Sequence, residues 1–156
     1  MDETVIQEQL LSLLRGGNAH MTFEEAVASF PPEEFNIKPP NVPYSFWHLL
    51  EHIRIAQWDI LEFVLNPDHE SPVWPAGYWP GVDETANQGK WEASLGQIKA
   101  DMNAFENLVT NPPFPLTAPI PHAPDYTVFR EILVLSDHNA YHIGEFGILR
   151  GVLDLW

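Results

Sequence analysis

The sequence contains no cysteine among its 156 residues. Disulfide bonds, thiolate metal ligands and a cysteine nucleophile are therefore excluded. A thiol-dependent reaction would have to take its sulfur from a bound small molecule. The absence of cysteine does not determine the redox compartment.

Basic residues are also scarce, because seven Lys and Arg stand against 22 Asp and Glu, for a formal net charge of −15. Such a charge repels the phosphates of nucleic acids and the anionic surface of a membrane, so we expect neither as a partner. No stretch approaches the roughly 20 apolar residues of a membrane span, and the first residues are acidic rather than basic. These features predict a soluble, cytoplasmic protein.

The chain is rich in proline, and all 15 prolines fall within three segments, 31–43, 67–80 and 112–124. Proline disrupts helix interiors and is common in connections. The proline-free stretches 1–30, 44–66, 81–111 and 125–156 are therefore the candidate helical units. Since 45% of the residues are apolar, the chain can build one ordinary core, and we expect a single domain over residues 1–156.

Apolar periodicity supports helices in each of these stretches. The third stretch has steps of three and four residues at Trp91, Leu95, Ile98, Met102, Phe105 and Val109. Stretch 44–66 is apolar almost all round, which predicts a mostly buried helix. No alternating strand pattern of useful length is present. The prediction is an all-α fold, an up-down-up-down four-helix bundle with long proline-rich connections.

The helix ends carry local signals. Gly16 and Gly17 predict a bend in the first stretch, and Thr22 with Glu25 forms a capping-box pattern that opens a helix to about Phe30. Asp125 is a candidate N-cap for the last helix. The connection at 72–80 is rich in Trp, Tyr and Pro, and two interpretations stay open for it: a pocket wall, or a loop packed on the bundle by its own aromatic residues.

Four of the seven histidines form two pairs of identical spacing, His48 with His52 and His138 with His142. Residues four apart lie on one face of a helix, so both imidazoles of a pair can reach one ion. Three histidines from two helices would leave an open coordination position, which is the pattern of catalytic metal sites. The alternative is that these are core histidines satisfied by carboxylates or carbonyls. Nearby acids that qualify as hydrogen-bond partners are Glu51, Asp59, Asp137 and Glu145.

Two stretches, Tyr44–Arg54 (YSFWHLLEHIR) and Asp137–Glu145 (DHNAYHIGE), resemble the two signatures of the DinB/YfiT-like superfamily. The resemblance implies a four-helix bundle over almost the whole chain, with His52, His138 and His142 as the metal ligands. Two departures are present. Glu145 stands where glutamine is common, and His48 adds a histidine one turn before the ligand position.

The resemblance further implies a divalent ion, commonly zinc or nickel. Iron(II) is a third candidate, because neutral imidazole also binds it. Several members of the superfamily resemble transferases that join a low-molecular-weight thiol, such as bacillithiol or mycothiol, to an electrophile. The lack of cysteine is compatible with such an external thiol. Trp47, Tyr141 and the loop Trp74–Trp79 are candidates for shaping the electrophile's pocket.

Other functions remain open: a metal-dependent hydrolase, a non-catalytic bundle that binds a metal or a ligand, and a bundle without metal. We also expect a homodimer, because the second helix has an excess of apolar surface.

Overall fold

The structure, a computed structural model, describes residues 3–156. These residues are mostly helical, as predicted. The five α-helices are α1 (Glu3–Arg15), α2 (Phe23–Val27), α3 (Phe46–Leu65), α4 (Gln88–Thr110) and α5 (Val128–Val152). Short 3-10 turns form at Pro32–Glu34 and Ala76–Tyr78. Helix α3 packs against α4 and α5, and α1 also packs against α4 and α5.

Helix α3 is the most deeply buried helix, as its apolar sequence predicted. Thirteen of its 20 residues are buried, including the polar residues His48, His52, Gln57 and Asp59. Its first turn is closed by Ser45, whose side chain accepts a hydrogen bond from the backbone N–H of His48. A capping residue of this kind satisfies one of the free N–H groups at the start of a helix.

The predicted bend after the first helix is confirmed. Gly16 and Gly17 have φ values of +69° and +77°, in the left-handed region that glycine adopts without a steric penalty. The capping box at Thr22 and Glu25 is also present. The helix that it opens is shorter than expected, because α2 ends at Val27 and Ser29 takes a positive φ of 51°.

A small antiparallel hairpin corrects the expectation that no strand would form. Strands β1 (Pro119–Ile120) and β2 (Ala123–Thr127) pair in the connection before α5. The two strands are too short to display an alternating pattern in the sequence. Their pairing places Ile120, which is fully buried, in the core.

The hairpin also corrects the predicted start of the last helix. Asp125 lies in β2 and is exposed, so it does not cap α5. Thr127 takes that role, because its side chain accepts a hydrogen bond from the backbone N–H of Arg130. At the other end of the helix, Val152 is 59% exposed.

The core consists of two clusters that we name by their composition. The aromatic cluster combines α2, the loop before α3, the first halves of α3 and α4, and the end of α5. Its rings are Phe30, Phe35, Phe46, Trp47, Trp91 and Phe146. The aliphatic cluster combines α1, the ends of α3 and α4, the hairpin and the start of α5. Its members are Leu10, Leu14, Leu61, Val64, Phe105, Leu108, Val109, Leu116, Ile120, Val128, Ile132 and Leu135.

Within residues 3–156, no helix is long and apolar enough to cross a membrane.

Candidate metal centre

Three histidine side chains from two helices converge within the helical bundle. His52 lies on α3, and His138 and His142 lie one turn apart on α5. The Nε2 atom of His52 is 3.1 Å from Nε2 of His138 and 3.1 Å from Nε2 of His142. One ligand atom from each of the three lies within 4.8 Å of the others. The packing of α3 against α5 therefore brings together residues that are 86 and 90 positions apart.

The orientation of the His52 ring is determined by two residues at the end of the loop Trp74–Trp79. Its Nδ1 lies 2.8 Å from the backbone oxygen of Tyr78. A carbonyl oxygen can only accept, so Nδ1 carries the hydrogen and Nε2 presents a lone pair. The indole of Trp79 stacks on the imidazole at 3.9 Å, with an interplanar angle of 4°. The ring is thus held both at its edge and on its face.

The His142 ring is oriented by a carboxylate. Nδ1 of His142 donates to Oε2 of Glu145 at 2.9 Å, which leaves Nε2 as the acceptor. The Tyr44 hydroxyl donates to the other oxygen of Glu145. Burial raises the pKa of Glu145, but these two hydrogen bonds outweigh burial and hold the pKa below its ordinary value. Glu145 is therefore an anion at neutral pH.

Two of the three histidines, His52 and His138, are held in their neutral form. Burial lowers the pKa of His52, and burial together with the neighbouring His142 and His52 lowers the pKa of His138 to about 4. Nδ1 of His52 and Nδ1 of His142 both donate to oxygens outside the cluster, so the Nε2 atoms of these rings are directed at each other.

A cation suits this donor set. A tetrahedral zinc ion with Zn–N distances of about 2.0–2.1 Å would separate its nitrogen ligands by about 3.3 Å. The separations of 3.1 Å in the cluster are close to that value. The residues present therefore fit a bound divalent metal ion.

Comparison with protein families gives a match over most of the chain. The model of the DinB superfamily matches residues 17–146. The chain belongs to the DinB superfamily. The matched range contains all three histidines and Glu145. No curated protein and no solved structure matches the chain. DinB superfamily proteins are typically metal-dependent, and the three-histidine cluster is the feature of this member that suits a metal.

His48, the extra histidine of this DinB superfamily protein, lies outside the cluster. Its Nε2 donates to the backbone oxygen of Gly81 at 3.0 Å, and its Nδ1 accepts from the Ser45 hydroxyl at 2.5 Å. His48 and His52 therefore both bind backbone oxygens of the segment 78–81. Together the two histidines of α3 hold this segment against the helix, and of the two only His52 faces α5.

Of the four acids that qualified by sequence position, Glu145 alone contacts a histidine of the cluster within the described residues. Asp59 accepts hydrogen bonds from His69 at 2.7 Å and from the Tyr78 hydroxyl at 2.5 Å. Glu51 forms an ion pair with Arg54. Asp137 is exposed. Spacing along a helix placed these acids near the site, but Asp59 binds side chains of the following loop instead. Glu51 is bound by Arg54 on its own helix and by Ser94 on α4, and Asp137 faces solvent.

The aromatic residues of the loop Trp74–Trp79 differ in their contacts. Trp79 covers His52, which supports the interpretation of the loop as a site wall, whereas Trp74 is 70% exposed. Tyr141 is 71% exposed and meets the His142 ring edge-on at 4.9 Å. Trp47 is buried in the aromatic cluster and lies away from the histidines.

Two hydrogen-bonding groups of the site were not predicted, the Tyr44 hydroxyl and the backbone oxygen of Tyr78. Tyr44 stacks on Trp79 at 5.0 Å as well as donating to Glu145. Tyr44 is the first residue of the stretch that carries the family resemblance, so a signal for it was present. A backbone acceptor such as that of Tyr78 leaves no mark in the sequence.

Proposed function

We propose that His52, His138 and His142 bind one divalent metal ion through their Nε2 atoms, and that the site activates a low-molecular-weight thiol for attack on an electrophile. The observation that carries the proposal is the convergence of three Nε2 atoms. In two of these rings the Nδ1 hydrogen is already donated, to Tyr78 and to Glu145. Both rings are thus prepared as ligands before any ion binds.

When bound, a divalent ion with an open coordination position lowers the pKa of a thiol and makes it nucleophilic at neutral pH. The thiol has to come from a small molecule, since the chain has no cysteine. Glu145 holds the His142 tautomer, and Tyr44 holds Glu145. Trp79 excludes water from one face of His52, and the exposed ring of Tyr141 offers an apolar surface beside His142.

The donor set favours zinc or nickel, with iron(II) as a third candidate. Neutral imidazole is a good ligand for all three ions. Glu145 lies outside the three proposed ligands, and its carboxylate makes Nε2 of His142 a stronger ligand through the hydrogen bond to Nδ1.

Metal content is the first test. The chain, purified without chelators or added metal, should contain close to one zinc, nickel or iron per molecule by mass spectrometry. The double variant His138→Ala, His142→Ala should contain none. The matched control is His122→Ala, because His122 is an exposed histidine on the hairpin side that binds the backbone oxygen of Phe63. Equal metal in the parent and in the double variant would contradict the proposal.

The transferase activity needs a separate test. Bacillithiol and mycothiol are incubated with monochlorobimane, and the metal-loaded chain is compared with the chelated chain. The proposal expects conjugation that is lost on chelation and restored by the metal. Hydrolysis of an ester probe without thiol conjugation would favour a metal-dependent hydrolase. Tight metal binding without either reaction would favour a non-catalytic metal-binding protein.

A further inference from the structure

A buried carboxylate outside the three-histidine cluster binds two residues of the loop that follows α3. Asp59 lies on α3, about two turns after His52, and is buried. One of its oxygens accepts a hydrogen bond from Nε2 of His69 at 2.7 Å, and the other accepts from the Tyr78 hydroxyl at 2.5 Å. Both oxygens of Asp59 are therefore engaged by the loop.

Tyr78 connects this carboxylate to the metal centre. Its hydroxyl binds Asp59, whereas its backbone oxygen accepts from Nδ1 of His52 at 2.8 Å. His52 and Asp59 are seven residues apart, so they share one face of α3 and are separated by about 10 Å along the helix axis. The two ends of one tyrosine thus bind two side chains of the same helix.

The position of the Tyr78 carbonyl depends on this second attachment. Tyr78 ends the 3-10 turn Ala76–Tyr78, and residues 73–77 before it are all exposed. The preceding part of the loop therefore supplies little buried packing to hold the turn. The bond from the Tyr78 hydroxyl to a carboxylate on α3 fixes the turn against a rigid helix.

The tautomer of His52 depends in turn on that carbonyl. Trp79 stacks on the imidazole and holds the plane of the ring, but stacking does not distinguish the two ring nitrogens. The carbonyl does, because it accepts a hydrogen from Nδ1 and leaves a lone pair on Nε2. An imidazole without this acceptor can carry its hydrogen on Nε2 instead, and Nε2 is then unable to bind a metal.

We propose that Asp59 is a positioning residue of the metal centre. It holds the Tyr78 hydroxyl, which keeps the Tyr78 carbonyl on Nδ1 of His52 and keeps Nε2 of His52 available as a ligand. The consequence for metal affinity rests on the proposed function, whereas the effect on the His52 ring is a property of the metal-free chain.

The first test measures the His52 tautomer in the full chain with chelator. Tyr78→Phe removes the hydroxyl and retains the ring and the backbone oxygen. Long-range 1H–15N NMR correlations of the 15N-histidine-labelled protein should show the ratio of Nε2–H to Nδ1–H at His52 rising about threefold or more. The matched control is Tyr126→Phe, the same substitution at a tyrosine of β2 that packs on Phe63. An unchanged ratio in Tyr78→Phe, or an equal change in Tyr126→Phe, would overturn the proposal.

A double-variant comparison tests whether Asp59 acts through Tyr78. Asp59→Ala should raise the tautomer ratio at least as much as Tyr78→Phe does. The double variant should raise it no further than Asp59→Ala alone, because both substitutions delete the same hydrogen bond. Additive changes would contradict the proposal. Lower stability in urea with the parent tautomer ratio would assign Asp59 a purely structural role, and Tyr78→Phe still decides the matter if Asp59→Ala does not fold.

Metal affinity is the second readout. Competition with a chromogenic chelator should show zinc affinity about 3- to 10-fold lower in Tyr78→Phe than in the parent. This is less than the 10- to 100-fold typical of deleting a group that binds a ligand directly, because the carbonyl itself remains. Parent affinity in Tyr78→Phe would contradict the proposal. Failure of the parent to bind any metal would overturn the proposed function instead, and the tautomer ratios would still decide the role of Asp59.

Discussion

The aromatic and aliphatic clusters of the core differ in what they support. In the aromatic cluster, Phe35 and Trp91 stack at 4.0 Å with an interplanar angle of 4°, and Trp79 and Tyr44 pack against its edge. Trp79 also stacks on His52, and the Tyr44 hydroxyl donates a hydrogen bond to Glu145. The aliphatic cluster contains buried residues of the hairpin and of α1. None of its buried members stacks on the three histidines or forms a hydrogen bond with them.

The difference has a physical basis. Rigid planar rings can fix the orientation of an imidazole through stacking, whereas branched aliphatic side chains fill volume without directing a neighbour. The aliphatic cluster therefore contributes mainly to the free energy of unfolding. The aromatic cluster and its edge also determine the geometry of the metal centre.

The largest expected effect comes from truncating the centre of the aliphatic cluster. Phe105 is fully buried, so Phe105→Ala should lower the free energy of unfolding by about 3–5 kcal/mol. Urea denaturation monitored by circular dichroism measures this change. Val134→Ala, at a position on α5 that is 39% exposed, is the control and should have a small effect. Metal content per folded molecule should not change in either variant. A loss of metal in folded Phe105→Ala would show that the geometry of the metal centre also depends on the aliphatic cluster.

Acidification should weaken the metal-free protein through the histidine cluster. The pKa of His138 is about 4 in the folded chain against 6.5 in the unfolded chain, because burial disfavours the imidazolium. Between these values the unfolded chain binds more protons, so stability is lost as the pH falls from about 6.5 towards 4, by up to about 3 kcal/mol. Urea denaturation with chelator at several pH values measures the slope.

The variant His138→Gln should flatten this pH dependence, whereas His122→Gln, on the hairpin side, should keep the parent slope. Phe105→Ala should be less stable at every pH but should have the same slope as the parent. A parent slope retained in His138→Gln would assign the acid sensitivity to other groups.

Removing the partner of His142 should affect metal binding more than folding. Glu145→Ala deletes the acceptor of the Nδ1 hydrogen, and losses of this kind typically reduce metal affinity by about 10- to 100-fold. Glu145→Gln retains an acceptor oxygen and should lose less. Competition with a chromogenic chelator measures the affinities. Equal metal affinity of Glu145→Ala and the parent would show that Glu145 does not contribute to metal binding.

The smallest effect is expected at a buried acid outside the metal centre. Asp101 is 5% exposed, its Oδ2 has no hydrogen-bond partner within the described chain, and burial raises its pKa against the opposing influence of Gln97 and Arg54. The stability that the neutral acid contributes is lost as the pH rises through the folded pKa. Asp101→Asn should therefore stabilise the protein by about 1 kcal/mol at pH 7 and have little effect near pH 3.

Thermal and urea denaturation at both pH values check this prediction. Asp137→Asn, at an exposed position on α5, is the matched control and should change stability little at either pH. A stability gain of equal size at both pH values would rule out the burial of the charge as its cause.

Much of the fold was predictable because its signals are local. Proline cannot occupy helix interiors, so its positions separated α3, α4 and α5, and the bend at Gly16–Gly17 followed from residue type. The hairpin before α5 was not predictable in the same way. Its strands are held by pairing with each other and by burial of Ile120, and neither leaves a periodic pattern.

The residue types of the proposed metal ligands could be predicted, but the groups that form hydrogen bonds with these ligands could not. The spacing of His138 and His142 places both rings on one face of α5, because four residues make about one helical turn. The same spacing in α3 predicts that His48 and His52 are equivalent, yet His48 binds Gly81 and His52 faces α5. The position of the segment 78–81 decides between them, and that position depends on loop packing.

The sequence by itself determined the helical stretches, the acidic character, the exclusion of cysteine chemistry and the pair of histidines on α5. Each of these follows from composition or from short-range spacing. The tertiary structure alone decided that His52 joins that pair and that Asp59 does not contact it. The first outcome depends on the packing of α3 against α5, because His52 is 86 residues from His138, and the second depends on the loop after α3, which brings His69 and Tyr78 to Asp59.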